Sequence, residues 1–179
     1  MTEGELIERA RGGDTEAFGA LVEAHAEFVR RLTRAVLHDR DDADDAAQDA
    51  FFSAWRSRER FDPTRPFKPW LGQIAINAAR DLNRRRVIRR TEAIPESLPG
   101  PGATPAMRAE STDLRQRLNA ALAGLPERQR LAVVLFEVEG YAHAEIGMVL
   151  GIPEGTARSE VFHARRKLRA TLGEQMEEA

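Results

Sequence analysis

The chain has 179 residues, 31% charged and 42% hydrophobic, with no cysteine and a formal charge of −2, which suits one or two small globular domains. The lack of cysteine excludes disulfide scaffolds, Cys-ligated zinc, iron–sulfur clusters and thiol catalysis. No uncharged apolar run approaches the ~20 residues of a membrane helix, and the Met-Thr-Glu-Gly-Glu start lacks a secretory pattern, so a cytoplasmic setting is expected.

The near-neutral total conceals a division. Residues 1–50 hold 6 basic and 13 acidic side chains, whereas residues 51–90 hold 11 basic and 3 acidic. Neighbouring segments of opposite sign suggest an acidic face for one partner and a basic face for a polyanion. Of the 27 basic residues only Lys68 and Lys167 are lysines.

Apolar spacing is helical almost throughout, and no segment alternates as a strand would. Asp14 or Thr15 caps a first helix in which Phe18, Leu21, Val22, Val29, Leu32 and Val36 recur at helical steps. His38 to Asp42 forms a polar break. A second helix follows, with Ala43, Ala46, Ala47, Ala50, Phe51, Ala54 and Trp55 on one face. Its opposite face carries Asp44, Asp45, Gln48, Asp49 and Phe52. The dipole accounts for carboxylates at the helix start, but not for Phe52 beside Gln48 and Asp49, which reads as a partner surface. The Asp39–Asp45 cluster lacks the glycine and terminal glutamate of a calcium loop, so no metal is expected.

Phe61 to Pro66 reads as a loop containing two prolines. From Phe67 a third helix runs to about Arg86, burying Phe67, Leu71, Ile74, Ala78 and Leu82. Gln73, Asn77, Arg80 and Arg84 form one polar stripe, with Trp70 at its start and an arginine run at its end. Amide groups leading into guanidinium groups suit a nucleic-acid backbone. Trp70 reads as core more readily than as a base-stacking ring.

Residues 91–112 collect Pro95, Pro99, Gly100, Pro101, Gly102 and Pro105 and read as a linker. Beyond it, Leu114, Leu118, Leu122 and Leu125 mark a helix, and Pro126 opens the next. That helix places Leu131, Val134, Leu135 and Val138 on its apolar stripe and stops at Gly140. Residues 142–150 form a short helix with Ile146 and Leu150 inward, broken at Gly151-Ile152-Pro153. A last helix from Glu154 to about Leu172 turns Ala157, Val161, Ala164 and Leu168 inward. Two short helices around a glycine-containing turn make a helix-turn-helix. The second displays Thr156, Arg158, Ser159, Phe162, His163, Arg165, Arg166 and Lys167 outward, positions suited to a major groove and its phosphates. Gly147 stands where a packing alanine is usual, and Glu160 places an anion on the surface expected to face DNA. The fold class is all-α: two small helical domains, 1–90 and 113–179, joined by the linker.

The combination resembles the extracytoplasmic-function sigma factors of bacterial RNA polymerase. The resemblance rests on Asp14-Thr15-Glu16-Ala17-Phe18, Asp44 to Phe51 ending at Trp55, and Phe67 to Asn77. It continues with Leu125-Pro126-Glu127-Arg128-Gln129-Arg130 and Gly151 to Ser159. It implies that Asp44, Asp45, Gln48, Asp49 and Phe52 meet core RNA polymerase. Phe61 to Lys68 would capture a flipped −10 base, with Trp70 alongside. Gln73, Asn77, Arg80 and Arg84 would hold the opened strand. Arg158, Ser159 and Phe162 would read the −35 element. His163 and Glu160 depart from the family's usual arginines. The resemblance also implies promoter DNA and an anti-sigma factor as partners. The alternative is a helix-turn-helix regulator that acts without replacing the polymerase sigma subunit. No enzyme is expected: His25, His38, His143 and His163 lack metal-ligand spacing or a nucleophile, and no phosphate-binding glycine loop or other cofactor motif is present. His25 reads as a satisfied core histidine.

Overall fold

The computed structural model describes residues 1–92 and 111–177, with side chains described over 1–88 and 114–173. Every regular element among these residues is helical, and no helix is long and apolar enough to cross a membrane. The N-terminal half comprises α1 (Glu3–Arg11), α2 (Thr15–Val36), α3 (Arg40–Ser57) and α4 (Phe67–Glu92). The C-terminal half comprises α5 (Ser111–Ala123), α6 (Glu127–Glu137), α7 (His143–Leu150) and α8 (Glu154–Glu177).

Local chemistry explains the starts and stops. Asp14 accepts hydrogen bonds from the Glu16 and Ala17 amides and caps α2, and Asp39 accepts from Asp42 to cap α3. Pro69 lies in the first turn of α4, where its missing N–H costs nothing. The sequence reading lacks α1, which a Thr2/Glu5 capping box starts and which the Thr-x-x-Glu spacing could have revealed. Helix α1 packs on α2, where Glu3 Oε1 meets the buried His25 Nε2 at 2.8 Å. Helices α4 and α5 extend into both ends of the expected linker, of which residues 93–110 lie outside the described residues.

The four alanines Ala43, Ala46, Ala50 and Ala54 are fully buried and bring α3 close to α2 and α4. Helix α4 is covered from two sides, by α2 and α3 and also by α7. This shifts its buried set from the expected stripe: Ala75, Ile76 and Ala79 join Phe67 and Leu71, while Ile74, Ala78 and Leu82 are half-buried. Leu114, Leu118 and Val138, expected on apolar stripes, are exposed, because α5, α6 and the turn between them bury Ala121, Leu125, Leu131, Ala132 and Leu135 instead.

The two halves are not separate. One apolar cluster runs from Leu21, Phe28 and Leu32 through Leu71 and Ile76 into Leu131, Leu135, Ile146 and Val149. Gly72 marks the closest approach: a Cβ there would lie 3.1 Å from Phe28 Cζ and 3.3 Å from Val149 Cγ1. Phe28 stacks on Tyr141 across the seam, with ring centroids 6.1 Å apart. Burial pushes the Tyr141 phenol well above its usual value, so it stays neutral.

Polar contacts line the same seam. The Glu139 carboxylate, 3% exposed, meets Arg31 Nε at 2.5 Å and Lys68 Nζ at 2.9 Å. Arg130 is buried; its Nε donates to the Ala35 carbonyl, and its Nη1 donates to Ala123 and Leu125 carbonyls at 3.2 and 3.0 Å.

In the helix-turn-helix, Gly151 adopts φ 65°, the left-handed conformation expected of it. Gly147 has a structural reason. Its carbonyl accepts from Ile152 N at 3.0 Å, and a Cβ at 147 would lie 2.7 Å from the Ile152 carbonyl oxygen. The turn therefore folds back too tightly for alanine. Gly147→Ala should destabilise the chain by about 1–3 kcal/mol in denaturant unfolding, an overpacking cost; a neutral result would mean the turn relaxes freely.

Burial pushes the Glu139 carboxyl up, but hydrogen bonds and charge from Arg31 and Lys68 outweigh it, leaving the group below its usual value. A carboxyl lowered on folding stabilises fully above its unfolded pKa, and this contribution fades as pH falls through the folded value. The stability advantage of the wild type over Glu139→Gln should therefore shrink between about pH 7 and about pH 3. Unfolding curves with a constant difference would remove the carboxylate from the energetics of the seam.

Candidate nucleic-acid interface

Burying its alanines rotates the opposite face of α3 outward. Asp45, Gln48 and Asp49 are exposed, and Phe52 is 61% exposed beside them. Asp44 is half-buried, 3.5 Å from Arg34 and 4.0 Å from Arg30, so part of its charge is answered within the fold. Asp42 points inward instead. Burial raises its carboxyl pKa against the opposing pull of Arg86, with which it pairs. That pair ties one member of the arginine run to α3 and leaves Arg84 and Arg85 exposed at the end of α4.

The segment after α3, the first turns of α4 and Met148 of α7 line a cleft of about 230 Å³ that includes Arg60, Asp62, Arg65, Pro66, Trp70 and Gln73. The loop on its rim is held by Asp62, which accepts from Thr64 N at 2.9 Å and from Thr64 Oγ1 at 2.7 Å. These bonds hold the Asp62 carboxyl below its usual value. Phe61, expected as part of the base-capturing surface, is 3% exposed and belongs to the core. Its ring packs against Trp70 at 4.8 Å and Phe67 at 5.5 Å, forming the back wall of the cleft rather than a free stacking face. Trp70 is half-buried, with one side in that aromatic cluster and another on the cleft. Arg65, within the expected Phe61–Lys68 loop, and Arg60, just before it, provide its cations.

Along α4, Gln73, Asn77 and Arg84 are exposed, whereas Lys68 and Arg80 are half-buried. Arg84 pairs with Asp81 one turn away. Lys68, Gln73 and Arg80 reach the other half of the molecule: Lys68 Nζ meets Glu139, Gln73 Nε2 donates to the Met148 carbonyl at 2.7 Å, and Arg80 Nε meets Glu127 at 2.8 Å. Periodicity placed Gln73 and Arg80 on one stripe; it carried no information about what would lie across from them.

The second helix of the helix-turn-helix, α8, presents a different surface. A groove of about 530 Å³ is lined by Phe136, His143, Arg158, Phe162, Arg165 and Arg166. Arg158 is exposed and meets Glu154 at 2.8 Å; Ser159 is exposed beside it, and Thr156 is half-buried. Phe162 is 61% exposed and packs edge-on against His163 at 5.5 Å. Arg165 pairs with Glu137 at 3.0 Å and lies over the Phe136 ring. Glu160 departs from expectation: its side chain is only 19% exposed and turns toward Arg128 at 3.8 Å, away from the arginine-lined groove. Phe136, His143 and Arg169 complete the groove and were not among the sequence-based candidates.

The phenylalanines separate core from interface. Phe61→Ala should cost about 3–5 kcal/mol of unfolding free energy, as for other buried aromatic truncations. Phe52→Ala and Phe162→Ala should each stay within about 0.5 kcal/mol of the wild type. A large loss at either exposed ring would make it structural.

Residues 21–88 match the family model for sigma-70 region 2, and residues 115–168 match that for sigma-70 region 4. The chain is 39% identical over 171 residues to the RNA polymerase sigma factor CarQ of Myxococcus xanthus, covering 94% of this chain and 96% of CarQ. It is 37% identical over 161 residues to the ECF RNA polymerase sigma factor SigE of Mycolicibacterium smegmatis, covering 88% of this chain but only 62% of SigE. Among solved structures it resembles CnrH in complex with the cytosolic domain of CnrY, with TM-score 0.72 and 30% identity over 96% of this chain and 97% of the other. These matches span both helical units in order, and the chain belongs to the sigma-70 family as an extracytoplasmic-function RNA polymerase sigma factor.

Proposed function

We propose that this chain performs its sigma-factor role through three separated surfaces. The acidic face of α3, with Asp44, Asp45, Gln48, Asp49 and Phe52, docks on core RNA polymerase. Its exposed carboxylates steer toward a basic partner, and Phe52 supplies an apolar anchor among them. The cleft between Arg60, Arg65 and Trp70 receives an unpaired −10 base, and Gln73, Asn77, Arg80 and Arg84 follow the backbone of the opened strand. On α8, Arg158, Ser159 and Phe162 read the −35 element in the major groove, with Thr156 and His163 beside them. Arg165 and Arg166 meet flanking phosphates.

The observation that carries this reading is the opposition of charge on adjacent helices. Helix α3 turns carboxylates outward while α4 carries the amide and guanidinium stripe, so a protein partner and a nucleic acid can be held side by side. A helix-turn-helix regulator acting alone leaves the exposed acidic face of α3 without a task. In this reading the chain performs no chemistry itself; its residues bind, position and help to open the promoter. It acts in the cytoplasm, where the polymerase is found. A protein partner of the anti-sigma class is proposed as well, since the similar CnrH is solved with the cytosolic domain of CnrY. The proposed organisation assigns residues 1–90 to core binding and −10 recognition, 91–112 to a connecting linker, and 113–179 to −35 recognition.

Purified chain added to core polymerase should start transcription at a cognate promoter. Asp49→Arg should weaken core binding by at least about tenfold, the equivalent of one reversed interfacial charge, while leaving −35 duplex binding intact. Equal loss of both activities would move Asp49 out of a polymerase-specific face, and no transcript from the wild type would overturn the reading.

A further inference from the structure

Four arginines line the groove of α8, and they are of two kinds. Arg158 meets Glu154 at 2.8 Å and Arg165 meets Glu137 at 3.0 Å. Arg166 and Arg169 have no carboxylate partner among the described residues. Neither glutamate lines the groove itself.

Glu154 stands where an anion is costly, at the start of the helix whose first turns face DNA, because a carboxylate there repels phosphates. The helix dipole favours it. Its pair with Arg158 is exposed on both sides, at 52% and 65%, so it adds little to stability. What the pair does supply is direction. The Glu154 backbone is fixed by the tight turn before it: Ile152 N donates to the Gly147 carbonyl at 3.0 Å, and a Cβ on Gly147 would lie 3.5 Å from Glu154 N. Arg158 follows one turn later, the spacing at which a preceding glutamate reaches a cation best. The Ser159 hydroxyl turns back to the Gly155 carbonyl at 3.1 Å, which leaves Arg158 as the long donor of this turn.

We propose that Glu154 is a positioning residue for −35 recognition: it holds the Arg158 guanidinium toward base edges and away from phosphates, and so confers sequence discrimination. The proposal rests on the assignment of Arg158 to the −35 element. A guanidinium carries its donors in a fixed fork, and with one edge on Glu154 it presents the rest to acceptors such as guanine O6 and N7. Released, the same side chain reaches a phosphate at any sequence, and affinity for wrong sites rises. An anion on this surface thereby lowers total affinity and raises discrimination, which is a difference between affinities. Glu137 holds Arg165 beside the Phe136 ring, on the phosphate-binding part of the surface, and sets no base preference.

The test uses holoenzyme reconstituted from core polymerase and the full-length chain. The probe is a set of duplex promoter fragments randomised across the −35 segment. Selection with the wild type defines the preferred sequence, and competition against each single-base change gives a discrimination ratio at every position. Arg158→Ala should lower the ratio about five- to a hundredfold at the position it reads. Glu154→Gln should lower it at least about threefold at the same position, as part of that discrimination. The loss should come mainly from tighter binding to mismatched sites, with a salt slope steeper by about one phosphate contact. Glu154→Gln added to Arg158→Ala should lower the ratio no further, since a carboxylate acting through Arg158 has nothing left to position. A purely structural carboxylate at the helix start would act with or without Arg158. Glu137→Gln removes the same charge beside Arg165 and should leave every ratio at its wild-type value. Wild-type discrimination in Glu154→Gln, equal relaxation in Glu137→Gln, or a further loss in the double variant would each overturn the positioning role while leaving Arg158 as a base-reading residue. Unchanged preference in Arg158→Ala alone would overturn both, so the two failures are told apart.

Discussion

A single buried guanidinium anchors the junction on which the architecture depends. Helix α5 ends at Ala123 with carbonyls that no further helical turn can satisfy, a general property of helix ends. Arg130, on α6, turns back to bond the Ala123 and Leu125 carbonyls and extends to the Ala35 carbonyl near the end of α2. Burial lowers its pKa, but the group remains a cation, and the surrounding carbonyl dipoles replace the water it has lost. One side chain thereby closes the α5–α6 corner and attaches it to the N-terminal half. Glu139, on the segment after α6, makes the reciprocal connection to Arg31 and Lys68. An apolar seam alone could slide; directional bonds at both ends of α6 give it a register.

That register has a functional consequence. A protein that works on promoter DNA needs exposed cations and amides, yet an acidic chain with such a surface must also keep it from unproductive contacts. On α4, Gln73 and Arg80 are answered by acceptors from the second half of the same molecule. The groove on α8 is different, because its guanidinium groups pair with glutamates but remain largely open to solvent. The two polar surfaces are therefore unequally available: the arginines of the α8 groove remain largely open, while Gln73 and Arg80 on α4 are engaged within the fold.

Much of this was legible in the residue pattern. Asp14 and Asp39 cap helices, alanines line α3, and Gly151 supplies the left-handed turn of the helix-turn-helix. These features depend on a few neighbouring residues, so spacing reveals them. The outward acidic face of α3 and the basic groove of α8 follow from the same helical periodicity. Other features were not legible. Phe61 stands beside the flexible-looking Asp62-Pro63-Thr64 loop, and nothing local shows that its ring turns into the Phe67–Trp70 cluster. Glu160 lies among outward-facing residues by sequence, but in the fold its side chain is mostly covered and turns toward Arg128.

The amino-acid sequence by itself determined the all-α class, the order of helices, the helix-turn-helix and the division of −2 into an acidic and a basic segment. Capping, periodicity and turn conformations act over a few residues and leave their marks in order along the chain. Only the tertiary structure decided which charges are available. The bonds that settle this join residues 47, 71, 75, 95 and 108 positions apart, and they depend on packing that no local pattern records. Gln73 and Arg80 could be placed on one polar stripe from their spacing; that they already hold an internal partner follows from how two helical halves bury one common core.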